Sequence, residues 1–510
     1  MRITTFLVLG LILLLHSCQS DVKLAQDPTL RLVPATATSV SVLRVPQVLK
    51  KADFNDFQQL PIYRELVRDL SGDNAALAHV LDQPQDSGID WGKNAYLFNE
   101  ISPANPEAMI QGVLFTLKDA KAFGSFLAKM NQEIEPQTGY QMIRANRQGY
   151  LLWNDDTALF GLSMQPSAQT DDFLGQIIRG ELESVADNAD LQKAFDNEYD
   201  ISSWASTNAF AEYGDARMMV ANLGFDPDAL KDNFVHSYAN FEDGIMRSHS
   251  TFHLQEALTK DLDLLFKDAI QSDLADYLPA KDFQMGFTAA LDLEGLNQVL
   301  AERVQTRSFI NYALQSYDLT LEDLTLAFGG DLYWGNYQGD NTEANSLFVT
   351  TINDPERLDK LIQTGTQMGI LKETAPGRYQ LGPVPVATTS GGIGMAMANL
   401  MLAHDKVFIT GDAELIDRLA EGKLPANERL PKSFTSRMTD KIFQGIFDFS
   451  ELPLEGMTDQ LPLEKLEVET DRKAMDLQIK TGNPQENSLK HLLWKMNDFY
   501  VKSLEEGDAI

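Results

Sequence analysis

The sequence repeats one order of predicted strands and helices after roughly 240 residues, and this repeat limits the fold more than any other feature. A Pro-Ala pair at 34–35 leads into a β-type run at 40–45 and then a helical pattern. The Pro-Ala pair at 279–280 leads into a similar run at 287–292 and a second helical pattern. The sequence therefore predicts one module used twice.

Later segments keep the same order in both halves. The strand-like run 114–119 is followed by apolar residues at helical spacing, as is the run 347–354. Two later hairpins turn at Asn154 and Asp405, residue types that tolerate the left-handed backbone of tight turns. Because hairpins join neighbouring antiparallel strands, we predict an α+β fold of two tandem related modules. Each should be a largely antiparallel sheet with helices packed on one face.

The repeat also sets the predicted domain boundaries. Module 1 spans 32–271 and module 2 spans 278–510, with the boundary near Ser272–Tyr277. We predict that residues 1–17 form a signal peptide and that residues 18–31 form a linker.

The N-terminus has the pattern of a secretory signal. Arg2 precedes an apolar run at 6–15, and no acidic residue occurs before Asp21. About ten residues of helix cover only half of the ~30 Å hydrocarbon core, so this run is too short for a permanent transmembrane helix. We therefore expect the protein to be exported.

Cys18 closes the segment Leu15-His16-Ser17-Cys18, which resembles the lipobox of bacterial lipoproteins. His16 stands where that motif usually has a small residue. Cys18 is the only cysteine of the chain, so no intramolecular disulfide accounts for it. The alternative is an ordinary cleaved signal followed by an incidental cysteine.

The lipobox resemblance implies a lipid-modified N-terminus that remains on a membrane, because two or more acyl chains anchor a protein stably. Gln19 follows the cysteine at the place where an Asp favours retention in the inner membrane. We therefore expect a cell-envelope protein that is lipid-anchored at the outer membrane.

Composition excludes one class of partner. The chain has 74 acidic and 42 basic residues, for a formal charge of −32. A surface this acidic repels phosphates, so we expect no nucleic-acid partner. With 44% hydrophobic residues, the chain can bury a core rather than remain disordered.

Three features together resemble a known family: the lipobox-like segment, the early Pro-Ala pair, and the block formed by Phe195-Asp196 and residues 200–204. The family is the domain of unknown function 4836. The resemblance implies an envelope lipoprotein of a kind found mainly in Bacteroidota. It covers nearly the whole mature chain and brings no catalytic residues with it.

No segment carries a recognisable catalytic, cofactor or metal motif. His249 and His253 would share one face of a helix, as zinc ligands can, but the alternating pattern of 246–254 predicts a solvated strand face instead. Acidic clusters at 187–190 and 340–343 lack the oxygen spacing and the glycine of a calcium loop. The first is predicted to cap a helix. We predict no catalytic residues, no cofactor and no metal.

The second copy contains an apolar, charge-free insertion at 382–397. Its glycines are suited to act as hinges, so it is either a loop that binds a partner or a segment that serves packing alone. The residues of the partner-binding interpretation are Pro383, Pro385, Ser390, Gly391, Gly392, Gly394 and Met395.

Two functions remain open from the sequence. The leading one is a membrane-anchored lipoprotein with a non-catalytic binding or scaffold role, whose partner is an envelope protein or a glycan. The alternative is a carboxylate-dependent hydrolase acting on polysaccharide or peptide in a groove between the modules, because any two of 74 acidic residues could converge.

The anchor gives the first testable prediction. Cys18→Ala should release the protein from membranes and abolish incorporation of an acyl label, because the thiol is the expected attachment point. Membrane fractionation and metabolic labelling with a fatty acid measure both effects. Undiminished labelling of the variant would reject Cys18 as the attachment site.

Overall fold

The structure is a computed structural model that divides into two compact units. Unit 1 comprises Met1–Met218, Leu230–His253 and Thr481–Ile510, and unit 2 comprises Met219–Ala229 and Leu254–Lys480. The residues that the structure describes are 26–73, 75–101, 109–128, 133–145, 148–163, 165–208, 211, 217–218, 221, 226–270, 272–281, 283–338, 344–387, 393–430, 441–449 and 463–506.

Ten described strands lie in each unit. Those of unit 1 are β1 Ser39–Leu43, β2 Ala95–Ile101, β3 Met109–Thr116, β4 Glu135–Gln137, β5 Tyr140–Ala145, β6 Gly149–Trp153, β7 Thr157–Ser163, β8 Ile201–Ser206, β9 Phe234–Glu242 and β10 Ile245–His253. Those of unit 2 are β11 Phe283–Ala290, β12 Phe328–Gln338, β13 Ala344–Ile352, β14 Leu371–Ala375, β15 Arg378–Ala387, β16 Ile393–Ala403, β17 Lys406–Thr410, β18 Phe443–Asp448, β19 Leu463–Thr470 and β20 Ala474–Thr481.

Helices connect and cover these strands. In unit 1 they are α1 Val45–Ala52, α2 Phe54–Phe57, α3 Pro61–Asp73, α4 Ala75–Asp82, α5 Ala120–Ala128, α6 Ala168–Arg179, α7 Ala189–Phe195 and, at the end of the chain, α14 Ser488–Glu506. In unit 2 they are α8 Glu256–Leu265, α9 Leu293–Glu302, α10 Val304–Gln315, α11 Leu321–Leu326, α12 Pro355–Gln367 and α13 Ala413–Glu421.

The strands of unit 1 pair in the order β4-β5-β6-β7-β3-β2-β1-β8-β9-β10, and each of these pairs is antiparallel. The strands of unit 2 pair in the order β14-β15-β16-β17-β13-β12-β11-β18-β19-β20, and the pairs from β14 to β19 are again antiparallel. Position by position, the two orders are the same. The α+β class with a largely antiparallel sheet is confirmed.

The prediction that helices cover only one face of the sheet is wrong for unit 1. Alternate residues of β6 enter different cores: Leu151 and Trp153 pack with α1 to α5 and α14, whereas Tyr150 and Leu152 pack with α6 and α7. β6 is buried at each of its five positions. A strand that is buried on both faces has apolar residues at successive positions rather than at alternate ones. Residues 150–153 have this pattern, which indicates burial on both faces.

Unit 2 also has a core on each face of its sheet. Phe408 of β17 packs with α13 on one face, and its neighbour Val407 packs with α12 on the other. The cause is again a strand without polar alternation, since β17 is buried at four of its five positions.

The predicted domain boundaries differ from the compact units at both ends. Residues 26–31 are not a free linker, because Leu30 lies in the core and Asp27 accepts a hydrogen bond of 2.7 Å from the buried Tyr96 hydroxyl. The chain passes from unit 1 to unit 2 after His253 and returns after Lys480. Helix α14 was assigned to module 2, yet it belongs to unit 1.

Helix α14 belongs to unit 1 because its apolar face completes that core. Leu489 and Leu493 are buried there, and Trp494 packs against Phe57 with ring centroids 6.1 Å apart. Polar contacts fix the helix at one end, where the Lys490 ammonium lies 2.8 Å from an oxygen of Asp53. The N-terminal half of the sequence therefore does not complete its own unit.

Among the helices that the structure describes, none is both long enough and apolar enough to span a membrane.

We predict that α14 stabilises unit 1 through Leu493, whose side chain is fully buried. Leu493→Ala should cost roughly 2–5 kcal/mol of the free energy of unfolding, whereas the control Met496→Ala, at a 37% exposed position, should cost about 0.5 kcal/mol or less. Chemical denaturation measures the cost, and amide hydrogen exchange locates it. Loss of protection in β11–β13 rather than β1–β3 would contradict the assignment of α14 to unit 1.

Glu100 of β2 predicts a pH dependence of stability. It is 1% exposed, and burial raises its pKa to about 8 from the ordinary 4.5, an effect that the Thr36 hydroxyl offsets only in part. The pKa of Glu100 is higher in the folded protein than in the unfolded chain. Its contribution to the free energy of unfolding is therefore complete below about pH 4.5 and is lost as the pH rises to about 8.

Between pH 5 and pH 8, the wild-type protein should therefore lose roughly 3 kcal/mol more than Glu100→Gln, which is always neutral. Denaturation at both pH values measures the difference, with Glu421→Gln at an exposed position as the control. Parallel losses in wild type and Glu100→Gln would show that Glu100 does not titrate in this range.

Candidate functional site

The structure describes only some of the residues that the sequence singled out. Cys18, the signal peptide, and Ser390, Gly391 and Gly392 lie outside the described residues. Pro383 and Pro385 belong to β15, and Gly394 and Met395 belong to β16.

The described residues of the segment 382–397 extend the β15–β16 hairpin, and its partner-binding role stays a prediction. Pro385 pairs with Met395 and Val386 pairs with Gly394. Beyond Leu381, β15 pairs only with β16 among the described strands. Pro383 and Pro385 have no backbone N–H, but here they cost no hydrogen bond to a second neighbouring strand. The sequence has apolar residues at the alternate positions 384 and 386 and again at 395 and 397, a pattern that indicates strands. The glycines of the segment favoured a loop instead.

The block that suggested the family forms a buried polar network. The Arg44 guanidinium donates to the carbonyl oxygens of Phe195 and Tyr199, at 3.0 and 2.7 Å. Asp200, which is fully buried, accepts from Lys51 Nζ at 2.7 Å and from the Phe241 backbone at 2.6 Å. These bonds join α1, α7, β8 and β9, so the block stabilises unit 1 by satisfying buried groups.

His249 and His253 share one face of β10, as their alternation predicted. The register of the hairpin places His249 opposite Tyr238 and His253 opposite Phe234, and the ring of His253 stacks on Phe234 at 4.3 Å. The neighbouring His236 is half-buried, and this burial lowers its pKa. Rings packed on one another in this way give the strand face a structural role.

The acidic segment 187–190 lies at the start of α7, where the Asn188 side chain accepts from the backbone of Asp190 and Leu191. The cluster at 340–343 is outside the described residues. Within the part of the chain that the structure describes, no group of three or more His, Cys, Asp or Glu side chains is placed to hold a metal ion.

The candidate site lies on α10, a helix that the sequence did not single out. Its inward face is half-buried through residues such as Ile310 and Leu314, but none of its residues is fully buried. Phe309 and Tyr312 point away from the unit and are 75% and 78% exposed. Residues three apart on a helix are neighbours, so the two rings form one exposed aromatic surface.

A cleft of about 540 Å³ begins beside Tyr312. We call it the α10 cleft. The chain turns between α10 and α11 at Asp318, whose φ is 56°, and this turn forms one wall of the cleft. The lining residues are Ser308, Asn311, Tyr312, Gln315, Asp318, Leu319, Thr320 and Lys360.

Hydrogen bonds hold the walls of the α10 cleft in place. The backbone N–H of Leu321 donates to Oδ1 of Asn311 at 2.9 Å, which fixes the Asn311 carboxamide. Thr320 caps α11: its hydroxyl accepts from the Asp323 backbone, while its own N–H donates to the Asp323 carboxylate. A cleft held by such bonds is largely formed before any ligand binds.

The one cation of the cleft is already paired. Lys360 Nζ lies 2.8 Å from Asp323, which also accepts from Arg357 at 2.9 Å. Burial alone would raise the pKa of the Asp323 carboxyl, but the Lys360 ammonium and the Thr320 hydrogen bonds hold it below its usual range. Asp323 thus remains ionised and neutralises Lys360. The cleft offers aromatic, hydroxyl and amide groups and the Asp318 carboxylate, and these groups can stack on a ligand or hydrogen-bond to it.

The sequence did not reveal this site, because apolar residues at helical spacing are usually core residues. The position of each residue around the helix axis could have indicated the site. If Ile310 and Leu314 face inward, Phe309 and Tyr312 must lie on the opposite side. Whether a neighbouring element covers that side is a tertiary fact that the helical pattern does not contain.

Comparisons with known proteins give one family. The model of a family described as a domain of unknown function, DUF4836, matches residues 30–420 of this chain. No curated protein matches the sequence.

Crystal structures of TP0453 are among the solved structures with weak similarity to this chain. Crystal form I of TP0453 has a TM-score of 0.28 and 10% identity, covering 46% of this chain and 81% of that one. Crystal form IV has a TM-score of 0.28 and 9% identity, covering 48% and 88%. Similarity at this level carries no argument about the fold or the function.

The exposure of the two rings predicts that they add little to stability. Phe309→Ala and Tyr312→Ala should each change the free energy of unfolding by about 0.5 kcal/mol or less, because these side chains bury little apolar area. The control is Leu321→Ala at a 5% exposed position of α11, which should cost roughly 2–5 kcal/mol. Chemical denaturation tests all three. A cost above about 1.5 kcal/mol at position 312 would mean that the ring serves the fold.

Proposed function

We propose that this chain, which belongs to the DUF4836 family, is a membrane-anchored envelope lipoprotein with a non-catalytic binding role. The observation that carries the proposal is the α10 cleft with its two exposed rings. Covering a Phe or Tyr side chain contributes roughly 1.5–3 kcal/mol, yet the fold leaves both rings in water. Adjacent exposed aromatic residues beside a preformed cleft are typical of a surface that binds a ligand.

The anchor and the charge support the same role. A lipid on Cys18 would hold the cleft at a membrane surface, where its ligand would be an envelope component. The formal charge of −32 disfavours polyanionic ligands throughout. Localisation at the outer membrane is part of this proposal.

The tandem modules are also part of the proposal. The strand orders of the two units agree at all ten positions, which supports an origin by duplication of one module. Both units carry helices between the corresponding strands, α1 to α4 between β1 and β2 and α9 to α11 between β11 and β12. They differ in burial, because α1 buries four residues whereas α10 buries none. On this proposal, one copy kept a closed core and the other acquired the binding surface.

Affinity capture from envelopes tests the binding role. The lipidated full-length chain in detergent is incubated with solubilised envelope material, and the retained proteins and glycans are identified by mass spectrometry. The double variant Phe309→Ala/Tyr312→Ala should lose material that wild type retains. Phe447→Ala, which removes a 38% exposed ring from β18 of the same unit, should retain it. Equal recovery by all three proteins would refute a binding role for the α10 cleft.

A further inference from the structure

We infer that the ligand of the α10 cleft is a neutral oligosaccharide, which stacks on Tyr312 and is hydrogen-bonded by the surrounding amide and hydroxyl groups. This inference rests on the proposed function and adds the chemical class of the ligand.

The lining of the cleft matches a sugar in its polar groups. Ser308 contributes a hydroxyl and Gln315 a carboxamide, and each can both donate and accept, as a sugar hydroxyl also can. Asn311 contributes the N–H groups of its carboxamide, because its oxygen accepts from Leu321. The Thr320 hydroxyl is engaged with Asp323 in the cap of α11. A ligand with many hydroxyls can therefore pair with several lining groups at once.

The exposed ring supplies the second requirement. One face of a pyranose is lined by C–H groups, which carry partial positive charge, and the face of an aromatic ring carries partial negative charge. Tyr312 is 78% exposed at the edge of the cleft, so its ring face is accessible to a flat ligand. Phe309 lies one helical turn away and can extend the contact to a neighbouring sugar residue.

Charge selects a neutral ligand over a charged one. Lys360 is paired with Asp323 at 2.8 Å, so no unpaired cation in the lining would hold a carboxylate or a sulfate. Asp318 adds a negative charge to the wall, and the chain as a whole carries −32. An acidic glycan would be repelled at close range and at a distance.

The lining also favours a sugar over an extended peptide. A peptide that binds by strand addition needs an exposed strand edge, whereas this cleft is built from α10, the turn after it, and α12. The volume of about 540 Å³ lies within the range of small-ligand pockets, roughly 300–1,000 Å³. A short segment of a glycan chain fits these conditions.

Calorimetry with defined probes tests the inference. The lipidated full-length protein in detergent is titrated with four neutral oligosaccharides: mannohexaose, cellohexaose, maltohexaose and chitohexaose. Hexagalacturonate serves as the acidic probe and an uncharged Gly-Ser decapeptide as the peptide probe. We expect binding of at least one neutral oligosaccharide, at least tenfold weakened by Tyr312→Ala. Tyr312→Phe should remain within about threefold of wild type because it keeps the ring, and Phe447→Ala should match wild type.

The other outcomes separate the two proposals. Tyr312-dependent binding of the peptide or of hexagalacturonate, without binding of any neutral oligosaccharide, would overturn the glycan inference and leave the binding role intact. Neutral binding that Tyr312→Ala does not weaken would place the glycan elsewhere and also overturn the inference. If no probe binds in a Tyr312-dependent manner, the glycan inference fails, and equal envelope capture by the double variant would then reject the binding role as well.

Discussion

Unit 1 depends on α14, a helix that is far in sequence from the rest of the unit. Leu489, Leu493 and Trp494 of α14 fill a core whose other members come from the first 250 residues of the chain. Without α14, the parts of α1, α2 and α3 that it covers would face water, at a cost of about 25 cal/mol per Å² of apolar surface. The stability of unit 1 is thus tied to residues 488–506.

The two units share one strand order but differ in how their helices are buried. In unit 1, α1 to α5 and α14 bury a large aromatic cluster, in which Phe123 packs edge-on against Trp153 at 5.6 Å. On the corresponding face of unit 2, the core against α12 is smaller and α10 contributes no buried residue. On the proposed function, α10 can carry ligand-binding residues because none of its residues is fully buried, and these residues are Phe309 and Tyr312.

Much of the fold could be predicted, because the signals are local. The alternation of 246–254, the helix cap in the segment 187–190 and the turns at Asn154 and Asp405 depend on neighbouring residues, and the structure has each of them. The unit to which α14 belongs could not be predicted, since sequence proximity favours module 2 and only tertiary packing places Leu493 in unit 1. The α10 cleft was missed for the same reason: the pattern predicts that Tyr312 is on a helix, whereas exposure depends on what covers it.

The central claim is that the exposed rings of α10 are the ligand-binding surface, and side-chain footprinting tests it most directly. Hydroxyl radicals label exposed aromatic rings, so Phe309 and Tyr312 should be strongly labelled in the free protein. Saturating envelope glycan should protect these two rings and leave Phe447 of β18 unchanged. Unchanged labelling of Tyr312 in the bound state, with protection elsewhere, would contradict the account.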